Sequence, residues 1–122
     1  MEWAIFTWFP EHGAEKIHGD DIDLLANGVQ GRVVQLLGKY ENWVIINFYP
    51  DAVRVDESSL TEIPEPEFKL GDFVKTIPPR TERNGVVSLV LWHYTKNKPY
   101  YLLTTNGVES HSRYFEHELA NA

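Results

Sequence analysis

Two short stretches of the chain combine histidines with carboxylates, the residue types that bind zinc and similar ions. Their members are His12, His18, Asp20, Asp21 and Asp23 in the first stretch, and His111, His117 and Glu118 in the second. The two histidines of each stretch are six residues apart, and neither stretch has a ligand spacing such as H-E-x-x-H. Solvated loop histidines and a helix N-cap explain both stretches equally well. No metal or other cofactor is therefore predicted, and metal binding by these four histidines stays an open alternative.

Residues capable of nucleophilic chemistry are present without the motifs that make them reactive. Ser110, His111 and Ser112 are adjacent, but the chain has no G-x-S-x-G elbow that would strain and expose a serine. It also lacks G-x-x-x-x-G-K-[ST] and G-x-G-x-x-G, the glycine-rich loops that hold phosphates. We therefore expect a protein that is not an enzyme.

Aromatic and basic residues in the second half of the chain predict a ligand-binding groove. In a predicted strand at residues 86–94, strict alternation places Trp92 and Tyr94 on one face and His93 on the other. Tyrosine and tryptophan anchor many interfaces, and the basic residues of two long loops would surround the groove. The predicted site residues are Trp92, Tyr94, Lys96, Lys98, Arg80, Arg83 and Tyr114. The alternatives are aromatic packing in the core and solubilising loops.

The formal net charge of −7 is unevenly distributed along the chain. Residues 1–67 contain 13 acidic and 4 basic residues (−9), and residues 68–122 contain 5 acidic and 7 basic residues (+2). An acidic protein is a poor unspecific binder of nucleic acid, because that binding depends on neutralising phosphates. The second half nevertheless has room for a basic patch.

Composition and the first residues indicate where the protein works. The chain has no cysteine, so it has neither a disulfide framework nor a thiolate metal site. Its start, MEWAIFTWFPEHG, has no basic region, and a proline and charges interrupt the apolar run after Phe9. We expect neither a signal peptide nor a membrane span, and a cytoplasmic location.

Periodicity and turn residues predict a mainly β chain. The predicted strands cover residues 2–9, 31–37, 42–49, 52–56, 68–77, 86–94 and 100–105, with a last short strand from Val108. Short helical turns are expected at residues 20–27, with Gly28 as the C-terminal cap, and at residues 112–119. Residues 57–67 are acidic and contain two prolines, which is typical of a linker. The predicted domains are therefore 1–64 and 65–122.

The two halves align as an internal repeat. The alignment pairs Gly31 with Gly85, residues 43–46 with 100–103, the turn 50–51 with 106–107, Val53 with Val108, Leu60 with Phe115, and Ile63 with Leu119. The second half also has a Gly71-Asp72 turn in its opening strand, a variable loop and a closing hairpin. In this pattern each half resembles an SH3-like barrel of the Tudor and KOW type. The resemblance implies two tandem small barrels built from strongly bent antiparallel sheets, with a helical turn near Asp20 replacing the opening strand of the first.

The ends of the chain carry a second resemblance. Residues 8–13 (WFPEHG) and 113–119 (RYFEHEL) are similar to small bacterial families of unknown function. This resemblance covers nearly the whole chain and implies no activity, so it assigns no functional residues.

Two functions from different classes follow. The first is a non-enzymatic module that binds another protein, for example as a small acidic immunity or inhibitor protein does, gaining association rate from charge complementarity. The second is binding to RNA or the ribosome through the basic, aromatic second half, by analogy of fold. A steep loss of affinity with salt would distinguish nucleic-acid binding from protein binding.

Overall fold

The computed structural model describes residues 1–8, 13–25, 31–110 and 112–122. It is mainly β, with 51% of the described residues in strands and 12% in short 3₁₀ turns, so the predicted fold class is confirmed. The chain divides into two compact units, Met1–Glu65 and Pro66–Ala122, one residue from the predicted boundary. Within the described ranges, no helix has the length and apolar character needed to cross a membrane.

Unit 1 is an antiparallel sheet with the strand order β5–β1–β2–β3–β4. The strands are β1 (Trp3–Phe6), β2 (Arg32–Tyr40), β3 (Trp43–Phe48), β4 (Asp51–Val55) and β5 (Leu60–Glu62). Short 3₁₀ turns cover Ala14–Lys16, Ile22–Leu25 and Glu57–Ser59. The turn at Ile22–Leu25 falls within the predicted helical segment, whereas the predicted cap Gly28 lies outside the described residues.

One expectation for unit 1 is wrong and a second holds only in part. The helical turn does not replace the opening strand: β1 is that strand, and the turn belongs to the long connection between β1 and β2. The segment 57–67 contains the division between the units, at Glu65 and Pro66, but its first part is not a linker, because Asp56 caps a 3₁₀ turn and the following β5 pairs with β1. Proline and acid content suggested a linker, but the side chain of Leu60 is buried in the core and holds the segment in the sheet.

The core of unit 1 follows from alternating burial. In β3, Val44, Ile46 and Phe48 are buried while the residues between them face outward. All four residues of β1 are buried. The rings of Phe6 and Phe48 meet edge to face with centroids 6.3 Å apart. The described core residues are Ala4, Phe6, Trp8, Ile17, Leu25, Val34, Val44, Ile46, Phe48, Val53, Val55 and Leu60.

Unit 2 has the strand order β11–β6–β7–β8–β9, and β10 pairs with β8 beside β9. The strands are β6 (Phe73–Thr76), β7 (Asn84–His93), β8 (Lys98–Thr105), β9 (Val108–Glu109), β10 (Tyr114–Phe115) and β11 (Leu119–Asn121). A 3₁₀ turn at Glu116–Glu118 precedes β11. Asn106 (φ 52°) and Gly107 (φ 78°) form the predicted hairpin turn, whose two positive φ angles suit asparagine and glycine.

The pairings also define which positions of the two units correspond. The first residue of each last strand, Leu60 or Leu119, pairs with the end of the opening strand, so Leu60 corresponds to Leu119. The predicted pairings of Leu60 with Phe115 and of Ile63 with Leu119 are therefore wrong. The predicted pairing of Val53 with Val108 is wrong as well, because Val108 faces Thr105 as Asp51 faces Phe48.

The second strand of each unit, β2 or β7, contains a β-bulge. Ile46 pairs with the residue just before the bulge in β2, and Leu103 pairs with the residue just before the bulge in β7, so the predicted match of residues 43–46 with 100–103 is confirmed.

The glycines Gly31 and Gly85 do not correspond. Gly85 faces Val74 of β6, and the equivalent ladder position in unit 1 is Val34, opposite Ala4. Gly31 adopts φ 71°, a conformation that favours glycine, whereas Gly85 is needed for space beside β8. Glycine thus occurs at these two positions for different physical reasons, and the sequence alignment paired the positions only because the residue type is the same.

A β-bulge in β7 determines which side chains face outward. The register shifts between Val87 and Leu89, so Val87 and Val90 are both buried although they are three residues apart. Beyond the bulge, the inner face carries Val90 together with its β8 partner Tyr101, and the outer face carries Leu91 and His93.

Candidate ligand-binding surface

The outer face of β7, β8 and β10 carries a group of aromatic and basic side chains that we name the Phe115 cluster. Its members are His93, Lys96, Lys98, Tyr100, Arg113, Phe115 and His117. The sheet positions them directly, because His93 pairs with Lys98 across β7 and β8, and Tyr100 pairs with Phe115 across β8 and β10. Directly paired residues point to the same side of a sheet, so these rings and chains converge.

Phe115 is the centre of the aromatic contacts. Its ring centroid lies 5.5 Å from that of His93 and 6.4 Å from that of Tyr100. The His117 ring stacks with Phe115, with its centroid 6.2 Å away and its plane only 5° from parallel. The Nδ1 atom of His93 also accepts a hydrogen bond from the Lys96 backbone N–H at 3.1 Å, which connects the turn to the ring cluster.

Three cations lie over these rings. The Nζ atoms of Lys98 and Lys96 are 4.4 and 4.9 Å from the centroid of Phe115, and the Cζ atom of Arg113 is 5.1 Å from the centroid of Tyr100. Each cation–π contact of this kind contributes about 0.5–1 kcal/mol at an exposed site. Across the part of the chain that the structure describes, no carboxylate forms an ion pair with any of the three.

An ion pair next to the cluster holds Arg113 and Phe115 in place. Arg80 donates to Glu118 Oε2 at 2.7 Å and to the carbonyl oxygen of Arg113 at 3.3 Å, while Glu118 Oε1 accepts the Phe115 N–H at 2.9 Å. Burial tends to raise the pKa of Glu118, but the Phe115 hydrogen bond and Arg80 outweigh it and bring this pKa below its usual value. The hydrogen bond to Glu118 raises the pKa of Arg80. The backbone of the cluster is thus fixed by charged partners.

The structure separates the seven predicted site residues. Lys96 and Lys98 belong to the Phe115 cluster. Trp92 lies two residues after the buried Val90 in the same strand, so it is on the inner face, where it pairs with Pro99. Tyr94 is 60% exposed in the turn after β7. Trp92 and Tyr94 do not share an outward face, because Trp92 lies on the inner face and β7 ends at His93, before Tyr94.

The remaining predicted residues have other positions. Tyr114 is buried, and the Arg80 guanidinium lies over its ring at 4.3 Å, so both residues support the fold beside the cluster. Arg83 is exposed, and its backbone hydrogen-bonds with Thr76 near the start of β7. The structure therefore does not bring the seven residues together on one surface, and ligand binding by them stays a prediction.

The centre of the cluster was not predicted from the sequence. His93 does lie on the face opposite Trp92, but the face of Trp92 was chosen for the groove, and Phe115, Tyr100 and Arg113 were not chosen. Cations stand next to aromatic residues in the segments RYF and KNKPYY, and this is the sequence signal that could have indicated the cluster. Alternation along each of the two strands then places Phe115 and Tyr100 on the same side of the sheet. That inference needs the pairing of β10 with β8, which local periodicity does not reveal.

Beside the cluster lies a shallow depression of about 280 Å³, lined by Tyr100, Leu102, Glu109, Ser110 and Arg113. It is open to solvent and suits a side chain or a short segment better than an enclosed substrate. Within the described ranges, no three His, Asp or Glu side chains converge as they would around a metal ion. His12 and His111, two of the candidate ligands, lie outside the described residues.

Unit 1 carries a related arrangement on the outer face of β2, β3 and β4. The His18 ring lies 5.5 Å from that of Trp43 and 6.2 Å from that of Tyr40, and the Arg54 guanidinium lies 5.1 Å from the Tyr40 centroid. Arg54 Nε and Nη2 donate to the two carboxylate oxygens of Asp21 at 2.8 and 2.9 Å. The Arg54 hydrogen bonds lower the pKa of Asp21 even though burial opposes this.

Comparison with known proteins gives one match. A family model described as "Family of unknown function (DUF6960)" matches residues 1–120. Neither a curated protein nor a solved structure gives a significant match. The predicted similarity to a family of unknown function is confirmed at that level, and the SH3-like assignment stays a prediction.

Proposed function

The chain belongs to a family of unknown function, DUF6960, and we propose that it is a non-enzymatic module that binds another protein through the Phe115 cluster. The observation that carries the proposal is that Lys96, Lys98 and Arg113 lie over aromatic rings without an acidic partner among the described residues. Surface cations of folded proteins are usually either dispersed in solvent or paired. Here they are gathered on an apolar base and leave their charge available to a ligand.

The physical properties of the cluster suit an acidic protein segment. Aromatic rings provide apolar contact area with little loss of side-chain entropy, and arginine and tyrosine are enriched among the residues that dominate binding energy. The ring contacts hold the lysine and arginine side chains near one position, which lowers the entropy lost when they bind a carboxylate. Unit 1 has 12 acidic and 4 basic residues and unit 2 has 6 and 7, so the cluster belongs to the less acidic unit.

The fold supports a binding role rather than catalysis. Both units order their strands alike, with a 3₁₀ turn before the last strand, and this supports the resemblance to tandem SH3-like barrels. The depression beside the cluster is shallow and does not shield a substrate from water. An inhibitor or immunity protein is one example of such binding, in which the complex covers a functional surface of the partner.

A titration followed by NMR tests the proposal. The ¹⁵N-labelled protein is mixed at low salt with a ten-residue peptide of alternating glutamate and serine. We expect the peptide to shift the amide signals of residues 93–100 and 113–117, and Lys98→Glu to weaken binding at least about fivefold, because it reverses a charge over Phe115. Lys75→Glu is the matched control: Lys75 is an exposed lysine of the same unit, opposite Asn84 and outside the cluster. Equal loss in both variants, or no shift in the cluster, would contradict the proposal.

Binding of single-stranded nucleic acid is the second candidate, because a ring with two cations over it combines base stacking with phosphate neutralisation. The net charge of −7 opposes it. The same titration with a twelve-nucleotide oligothymidylate separates the two functions. Tighter binding of the oligonucleotide than of the peptide, with a steep loss between 50 and 200 mM salt, would favour nucleic acid.

A further inference from the structure

The outer faces of the two units can be compared position by position. Trp43 and Tyr100 occupy equivalent positions in the two units. Each lies near the start of the third strand of its unit, β3 or β8, and pairs with the second strand at the same distance from the β-bulge. In each unit a histidine ring contacts this aromatic residue: His18 lies 5.5 Å from Trp43, and His93 lies 6.0 Å from Tyr100. Each unit thus has an aromatic–histidine pair on the outer face of its equivalent hairpin, β2–β3 or β7–β8.

Each face also has an arginine over an aromatic ring. The Arg54 guanidinium lies 5.1 Å from the Tyr40 centroid in unit 1, and the Arg113 guanidinium lies 5.1 Å from the Tyr100 centroid in unit 2. The two arginines come from different strands or loops, so they are not equivalent in the repeat. What they share is a planar guanidinium held against a ring.

The two guanidinium groups differ in what they bind. Arg54 holds the carboxylate of Asp21 with two N–H donors, and the Arg54 backbone N–H also donates to Asp21 at 2.8 Å. Asp21 is only 7% exposed, so unit 1 supplies its own carboxylate from the loop after β1. In the described part of unit 2, Arg113 forms no ion pair, although Glu109 lines the same depression.

We propose that Arg113 binds a carboxylate side chain of the partner, an aspartate or glutamate in an acidic segment, in the way that Arg54 binds Asp21 within unit 1. This inference rests on the proposed function and names its ligand. A planar guanidinium matches a carboxylate with two parallel hydrogen bonds, which a lysine ammonium does not. Arg80 holds the Arg113 carbonyl group, so the arginine starts from a fixed backbone position. Lys96 and Lys98 attract the neighbouring acids of the segment.

The choice of carboxylate follows from the structure, since a guanidinium against a ring is already seen bound to a carboxylate in this chain. A phosphate group would also fit the guanidinium fork. Phosphate is therefore an outcome that the experiment must separate from carboxylate.

The test uses a peptide with the sequence of residues 17–24 (IHGDDIDL), blocked at both ends, which is the segment that Arg54 holds in unit 1. Its affinity for the full chain is measured by NMR titration at pH 7.5, alongside the same peptide with all three aspartates replaced by asparagine. We expect Arg113→Lys to weaken binding about five- to tenfold, because the charge stays while the fork is lost. Arg83→Lys is the matched control, an exposed arginine outside the cluster, and we expect less than a twofold change.

The outcomes separate this inference from the proposed function. If Arg113→Lys binds as well as the wild type while Lys98→Glu has lost affinity, the role of Arg113 is overturned and the protein-binding surface stands. If the acidic peptide does not bind at all and the thermal melts show every variant folded, both fail. If a peptide with phosphoserine at the aspartate positions binds more than about tenfold tighter, with the same dependence on Arg113, the carboxylate ligand is overturned in favour of phosphate.

Discussion

Replacing Gly85 with alanine tests the packing of β7 against β8. A Cβ atom at Gly85 would lie 2.8 Å from Thr105 Oγ1, 2.9 Å from the Thr104 carbonyl oxygen and 3.3 Å from Leu103 Cβ. The Thr105 hydroxyl is itself held by a 2.8 Å hydrogen bond to the Asn84 carbonyl group. The clash is therefore with a hydrogen-bonded strand, which cannot turn away as a flexible side chain would.

The expected loss of stability combines two opposing effects. Forcing an extra carbon into a packed site costs about 1–3 kcal/mol. Replacing glycine by alanine also restricts the unfolded chain, which favours folding by about 0.4–1 kcal/mol. The net free energy of unfolding should therefore fall by about 1–2 kcal/mol for Gly85→Ala, which corresponds to a melting temperature lower by about 5–10 °C for a small unit.

Urea unfolding of Gly85→Ala and of Gly19→Ala makes the comparison. Gly19 is the control because a Cβ there meets no atom within 4 Å and its φ is not in the left-handed region. We expect Gly19→Ala to unfold within about 0.5 kcal/mol of the wild type, or to be slightly more stable. The same unfolding midpoint and slope for the two variants would contradict the predicted clash, because β8 would then accommodate the methyl group without cost.

Two further predictions concern buried polar groups. The hydroxyl of the fully buried Tyr101 donates to Glu116 Oε1 at 2.8 Å and accepts the Phe68 N–H at 3.4 Å. Tyr101→Phe should lower the free energy of unfolding in urea by about 1–2 kcal/mol, since Phe68 N–H loses a buried acceptor; an unchanged midpoint would show that water or another group replaces the hydroxyl. The Arg54 ion pair lowers the pKa of Asp21 from its ordinary value of 3.8, so its stabilisation is fully present above about pH 4 and is lost as the pH falls through the lower, folded-state pKa. Asp21→Asn should therefore be less stable than the wild type at pH 7, and the difference measured by thermal melts should shrink towards pH 2; a constant difference would contradict this linkage.

Local patterns in the amino-acid sequence predict the class of fold and most of the strands. Alternation in β3 and the asparagine–glycine turn at residues 106–107 are local signals, because each depends on residues a few positions apart. The same signals matched residues 43–46 with 100–103 correctly, but they misplaced the turn by one residue, because Phe48 pairs with Asp51 as Thr105 pairs with Val108. Family membership, too, is a property of the sequence, and it covers residues 1–120.

The acidic segment 57–67 shows where local signals fail. Its prolines and charges are typical of a linker, but Leu60 is buried and the strand that it begins pairs with β1, more than fifty residues earlier in the chain. The position of Gly85 is a similar case. A glycine in a sequence indicates either a special φ angle or a lack of space, and only the neighbouring strand shows which of the two applies.

The candidate site depended still more on tertiary structure. The sequence identified Lys96 and Lys98 as basic loop residues but chose Trp92 and Tyr94 as their aromatic partners. A single extra residue in β7 reversed the faces beyond Val87, and the pairing of β10 with β8 placed Phe115 under the lysines. Composition and period determine which residues prefer a sheet, because those preferences act within one strand. Bulges and the pairing of distant strands decide which side chains meet, because they depend on the free energy of the whole unit.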